Sequence, residues 1–196
     1  MATKKGMVKK AKFDAFLGVR RSGILAMKLK KGDILGWVGV ADKGSDIMMF
    51  TKKGQAIRFE EKKLREMGRQ AQGVRGIRVG SSDEIISLQA LSKNTVNQQI
   101  FVVSALGFGK KTDSREFKVQ SRGGMGVKAM NVSDSTGPLV AARVVDDSLE
   151  EFIAISEKGK TLRSFVKEMP TLKRATRGVK IMKLESHDRL GGVAVL

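Results

Sequence analysis

Neither cysteine nor tyrosine occurs in the 196 residues. The first absence excludes a disulfide framework and a thiolate metal site; the second removes any tyrosyl nucleophile. The single histidine, His187, lies beside Asp188 in a polar stretch and reads as a solvated turn residue, since one histidine without cysteine makes a poor zinc site. Apolar runs are short, as in Ile47-Met48-Met49-Phe50 and Ile100-Phe101-Val102-Val103. A helix crossing a bilayer needs about 20 apolar residues in a row. The basic start, Met1 to Gly6, leads into no apolar stretch of the signal-peptide kind. No GxxxxGK[ST] loop is present for ATP, and the spaced glycines Gly18 and Gly23 lack the βαβ setting of a dinucleotide site. No set of nucleophile, base and orienting group can be named. The expectation is therefore a chain with no catalytic centre, cofactor or metal of its own, in a reducing compartment.

Positive charge is what the chain has in excess. Thirty-eight Lys and Arg stand against 20 Asp and Glu, a net charge of +18 with pI about 10.4. Self-repulsion on this scale disfavours a compact state unless a polyanion neutralises it. Nucleic acid is the first partner to consider; an anionic membrane surface and a ribosomal location are the others. Hydrophobic residues at 41% imply a packed core and not a disordered basic tail. The length suits one large domain or two small ones.

The chain repeats itself four times. Hairpin-like segments centre on Gly6 (Thr3-Lys4-Lys5-Gly6), Gly54 (Thr51-Lys52-Lys53-Gly54), Gly107 (Ser104-Ala105-Leu106-Gly107) and Gly159 (Ser156-Glu157-Lys158-Gly159). A second landmark follows in each unit at Gly23, Gly73, Gly126 and Gly178, as in Gly73-Val74-Arg75-Gly76-Ile77 and Gly178-Val179-Lys180-Ile181-Met182. Repeats of about 50 residues with strand-like patterning point to propeller-type architecture. An apolar run before each first glycine reads as a buried strand, and the glycine supplies the positive φ of a tight turn. Alternation follows it, as in Ala56 to Phe59, and recurs in Ile24 to Leu29. A polar turn then leads to a last apolar strand, as in Asp83 to Leu88 and Asp188 to Val195. The longest helical candidate, Glu60 to Met67, is about two turns, or a loop. The predicted repeats are 1–46, 47–98, 99–150 and 151–196, within one domain spanning 1–196, and they carry net charges of +7, +5, +1 and +5 in turn.

Phe50 to Val79, with Thr51-Lys52-Lys53-Gly54 and Met67-Gly68-Arg69-Gln70-Ala71-Gln72-Gly73-Val74-Arg75-Gly76-Ile77, closely resembles the C-terminal domain of the bacterial DNA gyrase A subunit. So do Arg20-Arg21-Ser22-Gly23-Ile24, Gln120-Ser121-Arg122-Gly123-Gly124-Met125-Gly126-Val127 and Arg177-Gly178-Val179. The counterpart domain of topoisomerase IV is similar, and that alternative would imply a surface for substrate selection without wrapping. The resemblance implies an all-β fold, a β-pinwheel: a propeller-like disc of four-stranded blades that exchange strands, with a basic rim that bends DNA. It further implies a partial disc, these four blades being the last of about six, the first begun partway through. Val193 to Leu196 would either complete that first blade or remain an edge, and the disc would be closed or open. The family's box, QRRGGKG or QRRGGRG, belongs to its first blade. Its nearest echo, Gln120 to Gly126, matches five of seven positions, with Ser121 and Met125 in place of basic residues. Implied partners are double-stranded DNA, the gyrase B subunit, and the remainder of the gyrase A subunit, with no membrane. ATP and magnesium would bind on other domains of the holoenzyme. The setting would be cytoplasmic and nucleoid-associated.

Two groups of cations are the candidate DNA contacts. Around the hairpin turns stand Lys4, Lys5, Lys9, Lys10, Lys52, Lys53, Arg58, Lys110, Lys111, Lys158, Lys160 and Arg163. In and after the loop before the second glycine stand Arg20, Arg21, Arg69, Arg75, Arg122, Lys128, Lys173, Arg174, Arg177 and Lys180. Rotational repetition would array them along an arc that fits bent duplex. Trp37 and most phenylalanines read as core, with Phe16 and Phe108 beside basic loops. A propeller-like protein-interaction scaffold is the reading from another class; salt-insensitive protein binding would favour it.

Overall fold

The apolar runs ahead of Gly54 and Gly107 are buried on both faces, because each of these strands is shared between two cores; the run ahead of Gly159 is buried on one face, with Ile155 48% exposed on the other. In this computed structural model, residues 1–19, 21–146 and 151–196 are described. Fifteen strands follow in order among them: β1 (Ala2–Thr3), β2 (Met7–Val8), β3 (Leu35–Trp37), β4 (Asp46–Thr51), β5 (Gln55–Glu60), β6 (Val74–Arg75), β7 (Ile85–Leu91) and β8 (Gln99–Ser104), then β9 (Phe108–Asp113), β10 (Val127–Lys128), β11 (Leu139–Val145), β12 (Glu151–Ser156), β13 (Thr161–Phe165), β14 (Val179–Lys180) and β15 (Leu190–Val195). They form antiparallel sheets ordered β3-β1-β2-β6, β7-β4-β5-β10, β11-β8-β9-β14 and β15-β12-β13.

Each sheet thus takes three strands from its own unit and, in the first three sheets, a fourth from the next. Val74 and Arg75 pair with Val8 and Met7, Val127 and Lys128 with Ala56 and Gln55, Val179 and Lys180 with Gly109 and Phe108. The alternating stretch Ile24 to Leu29, expected to be a strand, pairs with no strand among the described residues. The fourth sheet has three strands, and its outer strand β13 is exposed at every second residue.

Side chains alternate across a strand with period two, and the cores obey this. Met48 and Phe50 of β4 pack with Ile100 and Val102 of β8, while Ile47 and Met49 turn to Ala2, Val8 and Ile85. Phe101 and Val103 of β8 in turn meet Phe152 and Ala154. The three cores each lie between consecutive sheets, so cohesion resides in the joints, as in other repeat arrays. The final strands β3, β7, β11 and β15 neighbour one another. The Ser87 hydroxyl donates to the Ala142 carbonyl (2.7 Å), and the Val144 N–H to Gln89 Oε1 (3.2 Å). The exchanged strands therefore occupy the opposite, outer edge.

Two open questions from the sequence are resolved. β15 pairs with β12, Val195 opposite Phe152 and Leu190 opposite Ser156, so the closing strand belongs to its own sheet and the row of sheets is open. The stretch Glu60 to Met67 contains only a 3-10 turn, Glu61–Lys63; Leu64 is drawn into the core with an extended backbone, which ends the turn. No helix among the described residues is long and apolar enough to cross a membrane.

Candidate nucleic-acid interface

The joints fix where the outer loops lie. The carbonyls of three of the four hairpin glycines accept from the exchanged segment: Gly6 O from Gly76 N (2.9 Å), Gly54 O from Ala129 N (2.8 Å), Gly107 O from Ile181 N (2.8 Å). Gly107 shows why no side chain is tolerated there. Its φ is +78°, and a Cβ would stand 2.3 Å from the Met182 carbonyl oxygen.

Arg21, Arg69, Arg122 and Arg174 stand fifteen residues after Gly6, Gly54, Gly107 and Gly159 in turn. In two cases the guanidinium reaches back to the preceding exchanged strand: Arg122 Nη1 donates to the Arg75 carbonyl (3.3 Å) and Arg174 Nη1 to the Lys128 carbonyl (3.0 Å). Backbone bonds tie the loops to one another in sequence. Lys28 N–H donates to Ala71 O (3.3 Å), Arg78 N–H to Gly124 O (2.7 Å) and Asn131 N–H to Thr176 O (3.0 Å), with Gly123 N–H to Gly76 O (2.6 Å). One hydrogen-bonded line of loops therefore runs across all four units. Exposed along it are Arg21, Arg69, Arg75, Arg122, Lys128, Arg177 and Lys180, with Arg174 half-buried. Among the described residues, none of these eight side chains is ion-paired. Lys180 and Arg177 instead stand over the Phe108 ring, 4.9 and 5.9 Å from its centroid, a cation–π stack that leaves both charges unneutralised.

Sequence reasoning missed Lys28, Arg78 and Lys183, which are exposed on the same line five residues after the second glycines. That fixed offset is the signal that would have found them. Arg20 lies outside the described residues.

The hairpin group differs. Lys4 and Lys52 share Glu84 (3.2 and 3.3 Å), and the Lys4 hydrogen bond, more than that of Lys52, holds its carboxyl below the usual range. Asp33, Asp83 and Asp188 accept from the backbone N–H of Lys5, Lys53 and Lys158. Lys53, Lys158 and Lys160 donate to Ser82 Oγ, Ser186 O and Lys183 O. Lys10 pairs with Glu61 (2.6 Å), Arg163 with Glu151 (2.5 Å) and, from the loop group, Lys173 with Glu116 (3.1 Å). Arg58 is bound to Asp46 (2.7 Å) and donates to Ser114 O (2.8 Å) and Phe117 O (3.3 Å) of the next unit. Lys111 is half-buried, its N–H donating to Pro170 O.

Lys9 and Lys110 are corrections to the sequence reading. They are 1% and 0% exposed, with ammonium groups turned onto backbone carbonyls, out of reach of a phosphate. Burial pushes the Lys110 ammonium down to about 8, with Glu116 opposing and Arg174 adding to the shift. Its folded value lies below its unfolded one, so between about pH 8 and 10.5 the unfolded chain binds more protons and stability rises with pH. The stability of Lys110→Met, measured by urea unfolding, is accordingly expected to exceed that of the unsubstituted chain by less at pH 9.5 than at pH 7.5, or to fall further below it. A pH-independent difference would contradict the buried charge.

His187 is exposed in its turn, with φ +62°. Most phenylalanines are core, but Phe13 is 69% exposed beside an apolar hollow of about 410 Å³ with Phe16, Val38 and Val40.

A row of antiparallel sheets that exchange their outer strands, with cations on those strands and on the loops beside them, defines a propeller-like pinwheel. The chain belongs to the family of the DNA gyrase C-terminal domain, beta-propeller, whose model matches residues 1–40, 45–92, 98–146 and 150–196. It is 39% identical over 193 residues to the DNA gyrase A subunit of Pseudomonas aeruginosa, covering 98% of this chain and 20% of that protein. It is 34% identical over 196 residues to that of Mycolicibacterium smegmatis, covering 99% and 23%. The chain thus spans about a fifth of the length of these relatives. In shape it is similar to the C-terminal domain of DNA topoisomerase IV (TM-score 0.90, 24% identity, 100% of this chain and 60% of that one). It is also similar to the DNA gyrase A C-terminal domain (TM-score 0.83, 22%, 99% and 64%).

Proposed function

We propose that this domain binds and bends duplex DNA along the line of outer loops, as a part of the DNA gyrase A subunit that contributes no catalytic group. The observation that carries the reading is the hydrogen-bonded continuity of that line, with eight cations on it that have no carboxylate partner among the described residues. Guanidinium and ammonium groups held in a row neutralise phosphates and release counterions without reading bases. A curved row would let the duplex follow it at the cost of bending, which added contacts offset. The domain would present the bent segment to cleavage machinery located elsewhere, in a holoenzyme that includes the gyrase B subunit and binds ATP and magnesium on other domains, in the cytoplasm at the nucleoid. In the box-like loop Gln120 to Gly126, an echo of the first-blade box and not the box itself, Met125 is 68% exposed and brings no charge to the line.

Binding to a 40-base-pair duplex should weaken linearly in log salt, with a slope of about −0.9 per phosphate contacted. Salt-insensitive binding would overturn the reading. Within it, reversing the charges of Arg20 and Arg21 is expected to weaken binding more than reversing Arg115 and Lys118, because Arg115 is already held by Asp113 (2.5 Å). Equal losses in a salt-matched titration would contradict that ranking. In a plasmid relaxation assay with an unrelated topoisomerase, bending predicts retained binding with little change of linking number.

A further inference from the structure

We propose that Lys9 and Lys110 are positioning residues for the DNA track: each grips, from inside a joint, the main chain of the loop arginine in the following unit. The inference rests on the DNA-binding reading above. Lys9 Nζ donates to Arg69 O (2.7 Å) and to Ala26 O (2.7 Å); Lys110 Nζ donates to Arg174 O (2.7 Å) and to Lys173 O (2.7 Å). The two lysines occupy one repeat position, three residues after their hairpin glycines, and the two arginines another. The same construction therefore appears in two of the three joints.

A buried ammonium is costly, and an apolar side chain of similar length would fill the space more cheaply. What the ammonium adds is direction: charge-assisted bonds, two from Lys110 and one from Lys9, fix the main chain that carries the arginine. A loop so held loses less conformational freedom when its guanidinium meets a phosphate. Around Lys110 the charged groups are Glu116 from the 3-10 turn Ser114–Glu116, and Arg174 and Lys173 from the loop. Beside Lys9 the N-terminal amine has its own proton affinity lowered by burial first and by Lys9 second.

The middle joint is an internal control. Ile57 occupies the lysine position there, and Arg58 reaches Ser114 O and Phe117 O, upstream of Arg122. Arg122 has no grip of this kind on its own carbonyl among the described residues.

The test is a double-mutant cycle in the whole chain, read as affinity for a 40-base-pair duplex. Lys110→Met should weaken binding several-fold. Combined with Arg174→Ala it should bind no more weakly than Arg174→Ala alone, whereas with Arg122→Ala the two losses should multiply. A loss that multiplies equally with both arginine variants, or unchanged affinity, overturns the proposal. Should Lys110→Met fail to fold, Lys9→Met with Arg69→Ala runs the same cycle. Hydrogen exchange without DNA separates this inference from the reading beneath it. The Arg174 and Thr176 amides, bonded to Glu116 and Lys173 O, should exchange faster in Lys110→Met. Faster exchange with no DNA binding by the unsubstituted chain would sink the functional reading and keep the grip; unchanged exchange would sink the grip itself.

Discussion

Alanine at Arg69, Arg122 and Arg174 together should cut affinity for a duplex several-hundredfold at 0.1 M salt and flatten the salt slope by about 3 units. Each phosphate contact contributes about 0.9 to that slope, which at 0.1 M is roughly eightfold in affinity, and three such factors multiply. The loss should be the same for every sequence, since contacts of this kind carry no base readout. The matched control is alanine at Lys4, Lys52 and Arg163. Two of these share Glu84 and Arg163 pairs with Glu151, so much of their charge is already answered within the protein. Equal effects of the two triples would mean that net charge alone, and no particular line of loops, determines binding.

A second large effect concerns the joints. Gly107→Ala and Gly159→Ala place a methyl on the same turn position, with φ +78° and +85°. Left-handed backbone costs a non-glycine residue about 1–2 kcal/mol in either place. Only Gly107 is pressed against another unit, 2.3 Å from the Met182 carbonyl to a built Cβ; around Gly159 nothing lies within 4 Å. Overpacking adds about 1–3 kcal/mol, and here the obstacle is backbone, so the upper end applies. Gly107→Ala should therefore melt about 9 °C below Gly159→Ala, at about 3 °C per kcal/mol for a domain of this size. Coincident melting would show that exchanged strands do not carry the cohesion of the array.

Much of this architecture was legible in the residues. The continuous run Ile47 to Phe50 announces a strand buried on both faces, and the recurring glycines mark turn and joint because only glycine lets a carbonyl approach so closely. The resemblance supplied strand exchange. What the pattern does not carry is partnership. Lys9 and Lys110 look like Lys10 and Lys111 beside them, and nothing local says that one of each pair turns inward; that depends on a carbonyl about 60 residues away. For the same reason Lys4 and Lys52 read as free cations until Glu84 is seen between them. Lys28 and Arg78 belong to the line by repeat position, five residues after Gly23 and Gly73, which no local pattern of charge marks. The stretch Ile24 to Leu29 has the alternation of a strand, but a strand exists only where an edge receives it.

Absence of cysteine makes the decisive measurement simple, since single cysteines can be placed without removing any. With a photo-crosslinker at Arg69→Cys, Arg122→Cys or Arg174→Cys and one end-labelled 40-base-pair duplex carrying a preferred bend site, cleavage at the crosslinks maps each loop onto the DNA. Three crosslinks on the same duplex are expected, in the order 69, 122, 174 and evenly stepped along it, with a control at Lys158→Cys falling off that series. Crosslinks that coincide, or that scatter without order, would mean the loops do not form one path for a double helix.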